Sequence, residues 1–242
     1  MRIFCVSGSR NKQSVGAALA HQLENKFNEL GEKTIFYIGQ KFNLSPCEGC
    51  SMCFDQGICP LDDIDGFGSV KEQILKSDLI IIISPVYVNN VPGIIKNLID
   101  RISHWSHVLK LAGKMGIVIS IADNSGAEFV GDYLEKVLSF CGCNVIGKYN
   151  ITKTKNNLSL GKIADNIYKN IELAIENGEQ YQSTDVLEKQ FHNLKKGYLL
   201  YKNAILNDAY EVKCWYSTGM IECNSFQEWL QKKSGDINQE NI

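Results

Sequence analysis

The chain is poor in proline, with four in 242 residues, and it lacks an excess of either charge: 25 Lys and Arg stand against 27 Asp and Glu, a formal net charge of -2. So little proline without a Gly-X-Y period excludes collagen, and 44% hydrophobic with 21% charged residues excludes a disordered chain or a long coiled coil. The charge balance removes any general pull toward nucleic acid or an acidic membrane surface. Small, near-neutral substrates or cofactors are the expectation. Long apolar runs are also missing, since the longest, Leu79 to Ile83, is far below the roughly 20 residues that span a bilayer. The segment MRIFCVSGSRN has an apolar stretch too short for a signal peptide, which sets the expectation of a cytoplasmic, reducing location. In that setting an odd set of nine cysteines does not form a disulfide framework.

What is present is an alternation of strand and helix patterns. Arg2 to Val6 is β-rich and ends in Ser7-Gly8-Ser9-Arg10-Asn11, after which Val15, Leu19, Leu23 and Phe27 recur at helical spacing. Gly31 stops that helix and Thr34 to Ile38 reads as a second strand, completing a βαβ unit. A helix is expected over Ile64 to Lys76, capped by Asp62 or Asp63. Leu79 to Ile83 is apolar at every position, as in a strand buried on both faces. A helix over Pro92–Arg101, a strand over Lys114–Ile121, a helix over Glu128–Cys141, a strand over Asn144–Ile151 and a helix over Gly161–Asn177 follow. The alternation predicts a doubly wound α/β fold with a five-stranded parallel sheet over residues 1–180.

From Ser183 the pattern changes. Val186, Leu187, Phe191, Leu194, Tyr198, Leu199 and Tyr201 are helically spaced, Cys214-Trp215-Tyr216 forms an aromatic segment, and a short helix is expected at Phe226–Leu230 before a polar, frayed tail over Ser234–Ile242. Residues 181–242 therefore read as a C-terminal extension, serving as a subunit interface or a substrate lid.

Three loops carry chemistry. Ser9, Arg10, Asn11 and Ser14 bring hydroxyls, amides and a positive helix end to one point, which suits a phosphate or is simply a polar turn. The loop has neither the Lys of GxxxxGK[ST] nor the spacing of GxGxxG. Pro85-Val86-Tyr87-Val88-Asn89-Asn90 and the loop from Ala122 through Asp123 to Gly126 and Glu128 fall on the same carboxyl edge, where open α/β sheets bind ligands. Together they suit a planar, phosphorylated ligand.

Four of the cysteines, Cys47, Cys50, Cys53 and Cys59, share one stretch followed by Pro60. The C-x2-C-x2-C-x5-C spacing approaches a ferredoxin run and suits a 4Fe-4S cluster, while zinc and unliganded thiols stay as alternatives. The remaining candidates have structural explanations. His21, His104, His107 and His192 show no acidic or Cys partner at a recognisable spacing and suit surface or structural roles, Cys141 and Cys143 suit packing, Asp62-Asp63 suits a cap, and Asp100-Arg101 suits an ion pair or a subunit contact.

GSRNKQS, SPVYVNNVPGIIKNLIDR and IADNSGAE resemble the corresponding loops of the flavodoxin-like NAD(P)H-dependent FMN reductases, and the Cys run resembles their iron-sulfur flavoprotein branch. The resemblance covers about Met1 to Gln180, with Arg10 standing where the family usually has Pro. It implies FMN with its phosphate held by Ser9, Arg10, Asn11 and Ser14, and its ring flanked by Pro85, Val86, Tyr87, Val88 and Asn89, with Ala122, Asp123 and Gly126 nearby. It also implies a 4Fe-4S cluster on Cys47, Cys50, Cys53 and Cys59, close to the flavin at the carboxyl edge. No side chain is needed as a nucleophile. The expected activity takes electrons from NAD(P)H to a flavin, quinone-like or protein acceptor such as ferredoxin, in a homodimer or homotetramer. A non-enzymatic electron carrier working with ferredoxin and a tailoring reductase of a dedicated metabolite are the alternatives.

Overall fold

A computed structural model describes residues 1–38, 44–153, 159–201 and 208–240. Five strands form one parallel sheet: β1 (Arg2–Ser7), β2 (Lys33–Tyr37), β3 (Leu79–Pro85), β4 (Met115–Ala122) and β5 (Asn144–Thr152), in the order β2-β1-β3-β4-β5. Every crossover passes through helices, as parallel pairing requires. These are α1 (Val15–Glu29), α2 (Met52–Asp55), α3 (Asp62–Asp65), α4 (Phe67–Lys76), α5 (Gly93–Arg101), α6 (Ala127–Phe140) and α7 (Leu160–Glu176).

The two-residue period of the strands divides the core. Phe4, Val6, Ile80, Ile82 and Val118 face α4, α5 and α6, whereas Ile3, Cys5, Ile81, Ile83, Ile117 and Ile119 face α1 and α7. A strand covered on both sides gains nothing from polar alternation, which is why Leu79 to Ile83 is apolar throughout. Register fixes the functional edge: Ser7 pairs with Ile83, Pro85 with Ile121 and Ala122 with Thr152. The three chemistry-bearing loops therefore leave adjacent strand ends.

The helix expected from Ile64 is broken. Gly66, at φ +73°, separates α3 from α4, and neither Asp62 nor Asp63 caps α4. Pro92 is the N-cap of α5 rather than part of its first turn. Beyond α7 the chain adds α8 (Asp185–Tyr201), α9 (Tyr210–Ser217) and α10 (Phe226–Glu240). Leu187, Phe191, Val212, Trp215, Phe226 and Leu230 bury against Leu109 and Ala112, which makes a third core beside the sheet. Cys214-Trp215-Tyr216 is helical, and the Trp215 indole N–H donates to the His107 carbonyl at 2.8 Å. α10 runs to Glu240, so the expected frayed tail is helix up to that point. The Tyr201 side chain and the last two residues lie outside the described residues. Among the described residues no helix is long and apolar enough to cross a membrane.

Candidate functional site

The first loop is wound by its own polar groups. The Gly8 N–H donates to the Ile83 carbonyl at 2.8 Å, and a Cβ at Gly8 would lie 2.5 Å from Ile95 Cγ1, so only glycine lets the loop pass this close to α5. The Asn11 N–H donates to Ser9 Oγ at 3.3 Å, and Asn11 Oδ1 accepts from the Gln13 N–H at 2.9 Å. Ser14 caps α1, its Oγ accepting from the Ala17 N–H at 3.1 Å. The N–H groups of Val15 and Gly16 in the first turn have no acceptor within the helix and present its positive end. Ser9 is buried, while Arg10 and Asn11 are exposed.

The second loop is a tight turn. The Tyr87 N–H donates to the Asn90 carbonyl at 2.8 Å and the Asn90 N–H returns to the Tyr87 carbonyl at 3.0 Å, with Val88 at φ +52° and Asn89 at φ +58° between them. Two central residues at positive φ define a type I′ turn, which favours Asn and Gly. A valine there is strained, and Val88 is 98% exposed, so no burial compensates. The two turn bonds use the N–H groups of Tyr87 and Asn90, leaving those of Val88 and Asn89 at the tip. Gly126, at φ +90°, brings the third loop against the second, because a Cβ there would lie 2.4 Å from Asn89 Oδ1.

Gly8, Arg10, Tyr87, Pro92 and Asn97 line a cavity of about 340 Å³ at this edge. Arg10 and Tyr87 thus come together as expected residues, joined by Gly8 and Asn97, which sequence reasoning missed. Val86 instead packs on the core, Ala122 is buried, and Asp123 pairs with Lys153 at 2.5 Å. The loop that leads into the N-terminus of α1 lines this cavity through Gly8 and Arg10, which suits a phosphorylated ligand.

Cys47, Cys50, Cys53 and Cys59 line one small cavity of about 60 Å³ with Pro60 and Ser103. Gly49, Ser51 and Gly57 all take positive φ, curling the loop around it. Burial pushes the Cys53 thiol up, and the nearby Cys59 and Cys47 add to this. Among the described residues no three His, Cys, Asp or Glu side chains gather on one point to hold a metal ion. The thiols share a cavity without converging.

Arg101 fastens both ends of this loop. Its fully buried guanidinium donates to Asp65 Oδ2 at 2.7 Å, Asp62 Oδ1 at 2.8 Å and the Ser45 carbonyl at 3.1 Å, and stacks over the Phe67 ring. Lys71 also reaches Asp62 at 2.8 Å, and the Asn97 amide donates to the Leu44 carbonyl at 3.1 Å. Burial alone would raise the Asp65 carboxyl, but hydrogen bonds from Arg101, the Ser45 N–H and the Phe67 N–H outweigh it and hold the group below the usual carboxylate range. The expected Asp100-Arg101 pair does not form. Neighbours along a helix do not face each other, and Asp100 instead pairs with Lys96 one turn away.

The Cys loop runs along α5: Asn97, which lines the upper cavity, donates to the Leu44 carbonyl at the start of the loop, and Ser103, just past the end of α5, lines the thiol cavity. The extension covers the loop from the other side. The Tyr210 ring presses on Gly57, where a Cβ would lie 2.5 Å away, and His107 packs at a tilt against Phe54 with centroids 5.1 Å apart. Glu211 holds His107 Nδ1 at 2.9 Å and accepts from the Tyr198 hydroxyl at 3.0 Å. The other histidines are structural: His21 pairs with Glu24, His192 with Glu188, and His104 is buried beside Phe54. Burial, aided by Lys71 and Lys110, takes His104 down to about 4. Cys141 and Cys143 are buried packing residues with their thiols pushed up, Cys141 to about 12.

The sheet order defines a flavodoxin-like α/β fold, with the three loops at its carboxyl edge. Residues 1–156 match the NADPH-dependent FMN reductase family, and the chain belongs to it, in the iron-sulfur flavoprotein branch. An iron-sulfur flavoprotein of Methanocaldococcus jannaschii is 28% identical over 179 residues, 73% of this chain and 91% of that protein. Another, from Methanosarcina thermophila, is 30% identical over 61% of this chain and 78% of its own length. The solved structure of an FMN-dependent NADH-azoreductase from Bacillus anthracis superposes with a TM-score of 0.53 at 14% identity, covering 73% of this chain and 99% of that one, which speaks to the fold alone.

Proposed function

We propose that this FMN-dependent oxidoreductase draws electrons from NAD(P)H and passes them to a flavin, quinone-like or protein acceptor such as ferredoxin, with a 4Fe-4S cluster on Cys47, Cys50, Cys53 and Cys59. The observation that carries the flavin site is the meeting of three loops at one edge, with Gly8 and Gly126 giving room that no Cβ could share. FMN, when bound, supplies two-electron and one-electron redox chemistry that side chains lack. Arg10, Ser9, Asn11, the Ser14 hydroxyl and the first-turn N–H groups of α1 would hold its phosphate. Pro85, Val86, Tyr87, Val88 and Asn89 would flank the ring, and the tip N–H groups of Val88 and Asn89 would donate to charge developing on its pyrimidine side. Ala122, Asp123 and Gly126 would close the third wall.

The Cys loop suits a cluster by its chemistry. A cubane takes one thiolate per iron, and four thiols line this one cavity. Arg101 would hold the loop in shape for it. A homodimer or homotetramer is part of the proposal, because Tyr87, Val88 and Phe129 leave apolar surface exposed. A cytoplasmic setting is proposed with it. Steady-state oxidation of NADPH and NADH by FMN-loaded protein, with benzoquinone or ferredoxin as acceptor, tests the reading. Sustained turnover supports it, whereas flavin that exchanges electrons with ferredoxin but is not reduced by either nicotinamide overturns it in favour of a carrier.

A further inference from the structure

A third cavity, of about 690 Å³, opens at the opposite, amino edge of the sheet, and the extension supplies six of its fifteen lining residues. Lys114 precedes β4 and Asp78 precedes β3, while Trp229 and Lys233 come from α10 and Tyr181 from the turn before α8. Lys110 completes a set of three ammonium groups. The seven residues of β3 put this edge on the order of 20 Å from the flavin loops, so the cavity is no part of that cleft.

We propose that this cavity binds a polyanion, a phosphorylated or polycarboxylated small molecule, whose charge sits among Lys110, Lys114 and Lys233 and whose body lies against Tyr181 and Trp229. Asp78 is the single acidic side chain lining the cavity among the described residues, and its Oδ2 already accepts from the Arg2 N–H at 2.7 Å. Lys233 Nζ donates to the Ala112 carbonyl at 2.7 Å, and Lys114 Nζ to the carbonyls of Leu75 at 2.6 Å and Ser77 at 2.5 Å. Carbonyls satisfy hydrogen bonds but leave the charges uncompensated, and each ammonium has three donors to place. Burial and then the closeness of Lys114 and Lys110 take Lys233 down to about 8, and burial lowers Lys114 as well against the opposing pull of Asp78. Three half-buried ammonium groups facing one acidic side chain leave an excess of positive charge that an entering anion offsets. The aromatic walls add a flat apolar face, so the ligand class is an anion with a planar or apolar body.

FMN-loaded protein titrated with pyrophosphate at constant ionic strength tests this, with heat of binding and thermal unfolding as readouts. The proposal does not depend on redox activity, so its failure leaves the flavin reading intact. A saturable rise in Tm is expected, with affinity falling about tenfold in Lys233→Met and in Lys110→Met and unchanged in Arg10→Ala. No saturable binding overturns the proposal, and so does binding that both lysine variants retain or that Arg10→Ala abolishes. Lys233→Arg separates charge from structure: it keeps the positive charge and is expected to retain binding, and loss there with the Tm of the unliganded protein intact also counts against the site.

Discussion

Arg101→Met is the most informative single change, because it removes the buried link between α5 and both ends of the Cys loop. The Arg101 side chain has no exposure, and its partners Asp62 and Asp65 are 18% and 8% exposed. Breaking a buried pair by removing one partner costs about 3–5 kcal/mol, because the other charge is left desolvated. Asp62 keeps Lys71 at 2.8 Å and Asp65 keeps two backbone N–H donors, so the lower end, about 3 kcal/mol, applies. For a chain of this size that is a fall in Tm of roughly 6–12 °C. The pH dependence has a definite sign. The Asp65 carboxyl is lowered in the folded state, so its contribution is present above the unfolded value near 3.9 and is lost as pH falls through the folded one. The gap between wild type and variant should therefore be flat from about pH 5 to 8 and shrink below about pH 4. Thermal unfolding followed by circular dichroism, with limited proteolysis near Cys50, measures both parts. Converting the two acids as well, in Arg101→Met with Asp62→Asn and Asp65→Asn, should restore part of the loss. A Tm within one or two degrees of wild type for the single variant would refute the claim that this network fastens the loop.

Relieving the strained turn with Val88→Asn should stabilise the flavin-free protein by about 1 kcal/mol, because Asn tolerates positive φ and an exposed valine loses no burial; an unchanged Tm would show the strain to be absent. Gly126→Ala places a Cβ in a left-handed position and against Asn89, so FMN affinity should fall roughly tenfold in a fluorescence titration, and wild-type affinity would separate that contact from the flavin site. His104 is held neutral to about 4, whereas the unfolded chain protonates it near 6.5. Between those values the unfolded state binds more protons, so stability falls with falling pH by on the order of 3 kcal/mol, and His104→Phe should flatten that part of the curve.

The sheet was legible because its signal is local. Leu79 to Ile83 and Met115 to Ile121 carry apolar side chains on both faces, and polar loops follow each strand. The break at Gly66 was not legible, since Phe67, Val70 and Ile74 continue the helical spacing beyond it. The partners of Arg101 were not legible for a physical reason. Its neighbour Asp100 points away, and its true partners lie 36 and 39 residues upstream, on a turn that only the folded chain brings back. Arg10 and Tyr87 were found because strand ends converge by topology, but Gly8 and Gly126 matter through what their missing Cβ atoms would strike, which spacing cannot reveal. The seat of Tyr210 on Gly57 and the three-lysine cavity join residues more than 100 positions apart and needed the fold. The placement of the Cys loop along α5 came from the anchors at Leu44 and Ser45.

The central claim, FMN at the carboxyl edge with an iron-sulfur cluster in the Cys loop, meets its most direct test in one anaerobic measurement. Protein reconstituted with FMN, iron and sulfide and then freed of excess reagents is examined by its visible spectrum together with iron, sulfide and flavin analysis. One FMN and four irons per chain are expected, with the iron lost and the flavin kept in Cys50→Ser. Flavin without iron would contradict the cluster, and protein that retains no flavin would contradict the account as a whole.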